Sequence, residues 1–329
     1  MPSRQSVLVT GAGGVGRAVI EHLRADDVPV RVLVRRDDDR AAMLRRLGAE
    51  VVLGDLTRPE TVAAGLRDVS RMYFAMPVSR DHLLAATVVA TVAREYGDLD
   101  VLVGMSQMTV SQMTATSTDE SHQQRLHWLA EQVLDWSGLP VVHVRPTSFL
   151  DNPLFTTLAA RSIRGDGTLA LPFGDGRTSP VAVADVARVV AALLTGRRGH
   201  LDHVYELTGP RVMDMTEMAG AYARALGRSV VYADVPLERW REEVLSRAGL
   251  PAHVEDHIVT MCRLHRENRY DRATGDVERV TGVPAQTVEE FVAARRDQYL
   301  GPQPCRPPRL RSAPRRPPRP STSPDASPV

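Results

Sequence analysis

Three glycines near the start of the chain have the spacing of a phosphate-binding loop: Gly11, Gly13 and Gly16. An apolar β-branched run precedes them and an amphipathic helical pattern follows, which is the context that G-x-G-x-x-G requires. The first glycine permits a tight turn, the second lets the backbone approach a pyrophosphate, and the third lets the helix pack on the strand. The sequence therefore predicts a dinucleotide-binding loop: Gly11, Ala12, Gly13, Gly14, Val15 and Gly16.

Two arginines, Arg35 and Arg36, follow the second apolar run. Sites selective for NAD usually carry an acidic residue about 20 residues beyond the loop, where it binds the ribose 2′-OH. A guanidinium in that place pairs instead with a 2′-phosphate. We therefore expect NADP as the cofactor, with NADPH preferred over NADH. A solvated pair of arginines is the alternative.

Other residues at predicted strand ends are expected to contact the cofactor. Asp55 and Leu56 follow the third strand, where the carboxylate can accept a hydrogen bond from the adenine amino group or serve only as a turn residue. Ala75, Met76 and Pro77 end the fourth strand and let the dinucleotide pass close by. After the sixth strand, the expected walls of the nicotinamide pocket and the border of the substrate site are Pro146, Thr147, Ser148, Phe149, Asn152 and Phe155.

Two side chains are candidates for catalysis, Ser106 and His127. Ser106 ends the fifth strand and is expected to donate a hydrogen bond to a substrate carbonyl beside the nicotinamide. His127 lies one turn before Glu131 on the next predicted helix, so the two side chains share a face. A neutral His127 oriented by Glu131 would anchor the nicotinamide ribose or pass a proton near pH 7. A surface ion pair between the two is the alternative.

A metal site is not predicted, although three histidines fall in one C-terminal segment: His253, His257 and His265. Zinc needs three or four converging ligands, and the chain has no H-E-x-x-H motif. A polar helix face explains the spacing of these histidines without a metal.

The elements that must position these residues alternate between strand and helix patterns over residues 1–150, which predicts a doubly wound parallel sheet of the Rossmann type, an α/β fold. The expected strands are Ser6–Thr10, Val30–Val34, Glu50–Val52, Arg71–Ala75, Asp100–Gly104 and Val141–Arg145. The expected helices are Gly14–Arg24, Ala41–Leu47, Glu60–Leu66, His82–Tyr96 and Gln123–Trp136.

The second half of the chain, residues 151–301, is expected to form a smaller α/β substrate lobe interleaved with the first. Its expected strands are Val204–Thr208 and Val230–Val235, and its expected helices are Val181–Leu194, Met215–Leu226, 237–247, 252–266 and 287–299. Residues 302–329 contain ten prolines and six arginines among 28 residues. They therefore cannot bury enough apolar surface to offset the conformational entropy that is lost on folding. This Pro/Arg-rich tail is predicted to be disordered.

The composition argues against some classes of binding partner for the folded part of the chain. The net charge of +1 gives no argument for binding nucleic acid, and no apolar run approaches the ~20 residues of a membrane span. The two cysteines cannot build a disulfide framework, which fits a reducing cytoplasm. All 41 basic residues are arginine, so no reaction can use a lysine amine.

Seven segments spread over residues 5–300 resemble the NmrA-like branch of the atypical short-chain dehydrogenase/reductase superfamily. They are VLVTGAGGVGRAV, VRVLVRR, VVLGDLTRPETVAAGL, VLVGMSQMTV, HWLAEQVLDWSGLPVVHVRPTSFLDN, PVAVADVARVVAALL and VYELTGP. The resemblance implies an NAD(P)-binding fold with a small substrate lobe. Dehydrogenases of that superfamily use a Tyr-x-x-x-Lys pair, whereas the matching positions here are Gln123 and His127, so the standard proton relay is excluded.

Two functions of different classes are therefore kept. The first is an NADPH-dependent oxidoreductase that reduces a small carbonyl, a quinone or a related electrophile. The alternative is a non-catalytic NADP-sensing regulator of the NmrA type, which the missing tyrosine and lysine favour. A sugar-nucleotide epimerase or dehydratase is a weaker third reading, which the missing tyrosine opposes. A small-molecule substrate is the expected partner, with a homodimer or a regulatory protein as further partners.

Overall fold

The computed structural model describes residues 6–96, 98–196, 200–201 and 203–301, so the predicted tail of residues 302–329 lies outside the described residues. The strands are β1 (Ser6–Val9), β2 (Val30–Val34), β3 (Glu50–Leu53), β4 (Val69–Phe74), β5 (Val101–Met105), β6 (Val141–Pro146), β7 (Thr168–Leu171), β8 (Val204–Leu207) and β9 (Val231–Asp234).

The helices alternate with these strands in the first half and dominate the second. They are α1 (Gly14–Ala25), α2 (Asp39–Arg46), α3 (Pro59–Leu66), α4 (His82–Tyr96), α5 (His122–Trp136), α6 (Ala159–Asp166), α7 (Val183–Thr195), α8 (Met215–Leu226), α9 (Leu237–Trp240), α10 (Ala252–Arg266), α11 (Asp276–Thr281), α12 (Val288–Ala293) and α13 (Arg296–Leu300). No described helix is both long enough and apolar enough to cross a lipid bilayer.

Seven strands form one sheet in the order β3-β2-β1-β4-β5-β6-β8. Every neighbouring pair is parallel. The strand order reverses between β1 and β4, and ligands bind at such a switch point, outside the carboxyl ends of the strands. The predicted doubly wound α/β fold is confirmed, with a seventh strand added.

Apolar side chains cover both faces of this sheet, as parallel strands require. On one face, Val19 and Ile20 of α1 pack with Val190 of α7 against the strands. On the other face, Val89 of α4 and Leu134 of α5 lie in a second core. Because both faces are buried, the polar residues at the carboxyl edge are the ones left to bind a ligand.

The smaller lobe has its own core and its own sheet. Strands β7 and β9 pair in parallel, and the lobe core contains large buried side chains such as Phe155, Phe173, Tyr222 and Trp240. Phe155 was expected to border the substrate, and that expectation is wrong, because its side chain is fully buried in this core. The Phe155 carbonyl also accepts hydrogen bonds from two tyrosine hydroxyls, which fixes the segment in place.

Elements from the second half of the chain pack against elements from the first half. Strand β8 pairs with β6 as the edge of the main sheet, and α7 packs along α1. A Cβ at Gly14 would lie 3.8 Å from the Val183 side chain, an ordinary van der Waals distance, so the start of α1 lies directly beside the start of α7. The segments on either side of the boundary proposed at residue 150 therefore interleave in the folded chain. The exact residue at which the small lobe starts stays a prediction.

Several C-terminal elements differ from the patterns in the sequence. The helix expected over 237–247 is α9 followed by a π-helical segment, Arg241–Leu245, and a short 3-10 segment, Ser246–Ala248. The helix expected over 287–299 divides into α12 and α13. Elements α6, β7 and α11 were not predicted, because short elements carry too few residues for a periodic pattern to emerge.

Candidate functional site

A cavity of about 930 Å³ opens at the carboxyl edge of the main sheet and extends to the smaller lobe. The structure brings together along it all eighteen residues that the sequence predicted for cofactor binding or catalysis. They are Gly11, Ala12, Gly13, Gly14, Val15, Gly16, Arg35, Arg36, Asp55, Leu56, Ala75, Met76, Pro77, Ser106, His127, Pro146, Thr147 and Phe149. Ser148 and Asn152 also line it.

The glycine loop has the geometry that its spacing predicts. Gly11 has a φ of +67°, and a Cβ there would lie 2.6 Å from the carbonyl oxygen of Ala75. A Cβ at Gly16 would lie 2.2 Å from the carbonyl oxygen of Gly11. At Gly13, by contrast, a Cβ would meet nothing within 4 Å, because this residue faces the open cavity. Gly13 is therefore the position where the backbone is accessible to a ligand.

Helix α1 starts in this loop without a capping side chain. Its N-cap is Gly13, which offers no side-chain hydrogen bond to the first turn, and the first turn has no acidic residue. The first N–H groups of a helix have no partner within the helix, and the helix dipole places positive charge there. An anion such as a pyrophosphate satisfies both conditions.

The end of the cavity beside β2 and β3 is charged. Arg35, Arg36 and Arg40 line it together with Asp38 and Asp55. Asp38 caps α2, and its Oδ1 accepts from the N–H groups of Arg40 and Ala41 at 3.0 and 3.2 Å. The arginine side chains thus supply positive charge at the place where the sequence predicted a 2′-phosphate.

Asp55 serves as a turn residue in addition to lining the cavity. Its Oδ1 accepts from the N–H and the hydroxyl of Thr57 at 2.9 and 2.8 Å. These hydrogen bonds, with help from the charge of Arg35, hold the pKa of the Asp55 carboxyl below its ordinary value. The carboxylate is therefore ionised at neutral pH, and only its second oxygen is left for a ligand donor.

The opposite end of the cavity holds buried polar atoms without a protein partner. Among the described residues these include the hydroxyls of Tyr73, Ser106 and Thr147 and the Nδ1 of His127. A buried polar group without a partner costs about 1–3 kcal/mol, so folded proteins rarely keep one without a reason. Four such groups around one cavity fit a polar ligand, and a nicotinamide and its ribose have the donors and acceptors that these groups need.

His127 lies half-buried beside another histidine. Its ring centroid is 4.1 Å from that of His82, and the Nδ1 of each ring has no hydrogen-bond partner in the described structure. Removal from water lowers the pKa of His127 well below its usual value, and the nearby His82 and His257 lower it further. His127 is therefore neutral at pH 7, and it can hydrogen-bond a ribose but is a poor source of protons.

Glu131 does not orient His127, so that expectation is wrong. The Glu131 carboxylate is buried and forms a bidentate ion pair with Arg145 of β6, in which Nε and Oε1 lie 2.9 Å apart. A guanidinium fork matches a carboxylate in both charge and shape, which a neutral imidazole cannot do. The i, i+4 spacing correctly places both residues on one face, but the strand supplies the stronger partner.

Gln123 stands where the related dehydrogenases carry tyrosine, and it performs a structural task. Its Oε1 accepts from the N–H of Ser79 at 3.1 Å, and the residue does not line the cavity. This hydrogen bond holds the segment between β4 and α4. The tyrosine position of the superfamily therefore contributes no acid here.

Sequence reasoning missed the wall that the C-terminal segment adds. Val254, His257, Ile258 and Met261 of α10 line the cavity with Tyr270. The spacing of these α10 residues follows one face of the helix, and that apolar face is the signal in the sequence. Nothing local indicates which surface such a face covers, so its role emerges only from the folded chain.

The three C-terminal histidines do not converge. His257 Nδ1 lies 2.7 Å from the Ser121 hydroxyl, while His265 stacks between the rings of Phe173 and Tyr270 at 4.3 and 3.8 Å. His253 does not line the cavity. Over the ranges that the structure describes, no group of three or more potential ligands is placed to hold a metal ion.

The comparison with known families matches this architecture over most of the chain. The sequence profile of the NmrA-like family covers residues 3–294. The chain belongs to the NmrA-like family. This confirms the resemblance that the seven sequence segments indicated.

The known proteins that this chain resembles include enzymes and a regulator. The chain is 29% identical to an NAD(P)H azoreductase of Xenophilus azovorans over 290 residues, which are 88% of this chain and 96% of that protein. Its fold is similar to that of an NADPH-dependent quinone oxidoreductase of Escherichia coli, with a TM-score of 0.76, 20% identity and coverage of 88% and 99% of the two chains. NmrA, a negative transcriptional regulator, has a TM-score of 0.74 at 16% identity, with coverage of 88% and 95%.

Both functions predicted from the sequence are therefore represented among its relatives. Reductases and a regulator share this fold, so the fold alone does not distinguish them. The chemistry of the cavity must supply the distinction.

Proposed function

We propose that this chain is an NADPH-dependent oxidoreductase that reduces a neutral carbonyl, a quinone or a related electrophile. The observation that carries the proposal is the extent of the cavity. The same cavity is lined by the glycine loop, by Ser106 and by the apolar wall of α10. We assign the part beside α10 to a second molecule next to the cofactor. A protein that only senses a dinucleotide needs no such second compartment.

We assign different residues along the cavity to different parts of the dinucleotide. Gly13 and the start of α1 hold the pyrophosphate, as an uncapped helix N-terminus does for anions. Tyr73, Thr147 and His127 present unpaired polar atoms to the ribose and the nicotinamide. A nicotinamide bound there supplies a hydride to the second molecule.

The preference for NADPH over NADH rests on the arginines beside β2. Arg35 and Arg36 occupy the position where an acidic residue would select NAD, and Arg40 lines the same end of the cavity. A charged hydrogen bond to a 2′-phosphate contributes about 1.5–3 kcal/mol, on the order of 10- to 100-fold in affinity. NAD has no 2′-phosphate to receive it.

Ser106 is the residue that we expect to act on the acceptor. Its hydroxyl is buried, has no protein partner and lies at the carboxyl end of β5. It can donate a hydrogen bond to the acceptor oxygen, where negative charge develops as the carbon is reduced. His127 positions the nicotinamide ribose. The proton that completes the reduction comes from water, because neutral His127 is a poor acid.

A cytoplasmic location and an oligomeric or regulatory partner are further proposals. Cys262 is buried and free, and Cys305 lies outside the described residues, so nothing in the described chain requires an oxidising compartment. Size-exclusion chromatography with light scattering distinguishes a monomer from a homodimer. A partner that regulates the protein would bind according to whether NADPH or NADP⁺ is present.

The alternative function is an NADP-sensing regulator. The observations that favour it are Gln123 and His127, which replace the tyrosine and lysine of the related dehydrogenases. The test is a screen of purified protein for NADPH oxidation at 340 nm with quinones, aldehydes and azo compounds. Turnover that saturates with an acceptor supports the reductase. Tight NADPH binding without turnover of any acceptor supports the regulator.

A further inference from the structure

His257 is fixed in one orientation by a residue from another element. Its Nδ1 lies 2.7 Å from the hydroxyl oxygen of Ser121, which is the N-cap of α5. The imidazole belongs to α10 and lines the cavity. The bond therefore ties the C-terminal wall of the cavity to the helix that carries His127.

The capping interaction of Ser121 determines which nitrogen of His257 carries the hydrogen. The Ser121 oxygen accepts the N–H of Gln124 at 3.2 Å, and the Gln124 side chain accepts the N–H of Ser121 at 2.8 Å. Ser121 is buried, and its hydroxyl hydrogen has no other acceptor among the described residues. It is satisfied only if it is donated to Nδ1 of His257. The hydrogen of the neutral imidazole then resides on Nε2.

The Nε2 of His257 has no protein partner within the described ranges, although the ring faces the cavity. The residues that surround it on α10 are apolar: Val254, Ile258 and Met261. The charged residues that line the cavity are the group beside β2 and β3 and, in addition, Asp81, which is exposed to solvent. This wall of α10 thus presents one N–H donor among apolar side chains, with the neutral His127 nearby. Such a wall selects a neutral molecule that carries a hydrogen-bond acceptor.

We propose that His257 is a substrate-binding residue that donates its Nε2–H to the oxygen of a neutral aromatic ketone or quinone. This inference rests on the proposed reductase function and gives it a substrate class. The reductant would be NADPH, which is oxidised to NADP⁺ as one of its C–H bonds breaks. The hydride forms a C–H bond at the carbonyl or conjugated carbon, the π bond there breaks, and the electron pair moves to oxygen. The Nε2–H hydrogen bond stabilises that oxygen, and water supplies the proton. Ser121 is a positioning residue, because it acts only through His257.

The first test measures binding without chemistry. Protein loaded with NADP⁺, which cannot donate a hydride, is titrated by calorimetry with 1-tetralone and with tetralin, the same ring system without the carbonyl. We expect the wild type to bind tetralone at least 10-fold more tightly. His257→Phe keeps a ring but loses this donor, so most of the preference for tetralone should be lost and only the contribution of Ser106 should remain. His257→Gln retains an N–H donor and should recover part of the preference.

The controls separate this role from a general structural one. His253→Phe changes the same helix away from the cavity and should keep the preference for tetralone. Ser121→Ala frees the imidazole and should reduce the preference several-fold, whereas Ser121→Thr keeps the hydroxyl and should retain it. Unchanged NADP⁺ affinity and circular dichroism show that each variant is folded.

The kinetic test then follows reduction of 1,4-naphthoquinone by NADPH. His257→Phe should lower kcat/KM about 10- to 100-fold, since a donor to a developing oxyanion is lost. A His257→Phe protein that keeps the wild-type preference for tetralone overturns the proposal, as does a wild type that binds both compounds equally or binds neither. If the tetralone preference holds but no acceptor is reduced, the reductase function fails and the assignment of His257 stands.

Discussion

The rings of His82 and His127 lie with their centroids 4.1 Å apart and are tilted 48° to each other, and neither Nδ1 has a hydrogen-bond partner in the described structure. Two imidazolium ions at that separation would repel each other in a site of low polarity. Burial already lowers the pKa of His82 to about 4, and His127 is lowered as well. The residue at the position of the family lysine is therefore a neutral hydrogen-bonding group.

This arrangement predicts the effect of removing His127. His127→Ala should lower kcat about 10- to 100-fold, because loss of a positioning contact misplaces the reacting atoms. NADPH affinity should remain within a few-fold of wild type, since the glycine loop and Arg35 still bind the phosphates. Stopped-flow kinetics and calorimetry measure the two quantities. A variant with wild-type turnover would show that His127 does not position the nicotinamide ribose.

Glu131 should behave differently from His127. Glu131→Gln leaves the partly buried Arg145 without its charged partner, and breaking a buried ion pair costs about 3–5 kcal/mol of stability. The free energy of unfolding in urea should fall by that order, while kcat per folded molecule stays near wild type. Arg17→Ala breaks an exposed pair with Glu21 and serves as the matched control, with an effect below about 1 kcal/mol. A loss of kcat without loss of stability would restore the predicted role of Glu131 in orienting His127.

A side chain at Gly13 should block the cofactor. Gly13→Val places methyl groups where a Cβ now meets nothing, in the path of the pyrophosphate. Wild type at 100-fold excess of NADPH over its Kd should gain about 2.7 kcal/mol in stability, and the variant should gain none. Gly165→Val is the control, because Gly165 also has an open Cβ position but lies outside the cavity. Thermal shift assays with and without NADPH measure the stabilisation of the wild type and of each variant. If NADPH stabilises Gly13→Val as much as the wild type, the glycine loop is not the pyrophosphate site.

Arg35 should determine the choice of dinucleotide. Arg35→Ala should weaken NADPH binding about 10- to 100-fold and leave NADH binding nearly unchanged. Arg46→Ala, at the end of α2 and outside the cavity, should alter neither affinity. Calorimetry with both cofactors provides the comparison. Equal affinities of the wild type for NADPH and NADH would contradict the predicted preference.

The buried histidines should make stability fall in mild acid. Burial lowers the pKa of His265 to about 4, so between pH 6.5 and 4 the unfolded chain binds a proton that the native chain does not. The free energy of unfolding therefore decreases as pH falls through that window, by up to about 1.4 kcal/mol per pH unit for each such histidine. His265→Phe should flatten the slope by that amount. Urea unfolding from pH 4.5 to 7 measures it, and an identical slope in the variant would show that His265 titrates normally.

The parts of the site that the sequence predicted are those encoded by contiguous residues. The glycine loop and Arg35 each belong to one strand–turn–helix unit, so local spacing determines where they lie. The pairing of Glu131 could not be predicted, because Arg145 reaches it from a neighbouring strand. The same limit applies to His257, whose place in the cavity depends on how α10 packs against α5.

The return of β8 to the edge of the main sheet has a consequence for synthesis of the chain. Strand β6 leaves the ribosome before the small lobe and before β8, which is its neighbour in the sheet. Until β8 emerges, the backbone groups on one side of β6 have no strand partner, and an exposed strand edge invites pairing with other chains. A nascent fragment that ends between these strands therefore carries a complete glycine loop on an open sheet. This interval is when we expect the growing polypeptide to depend most on chaperones.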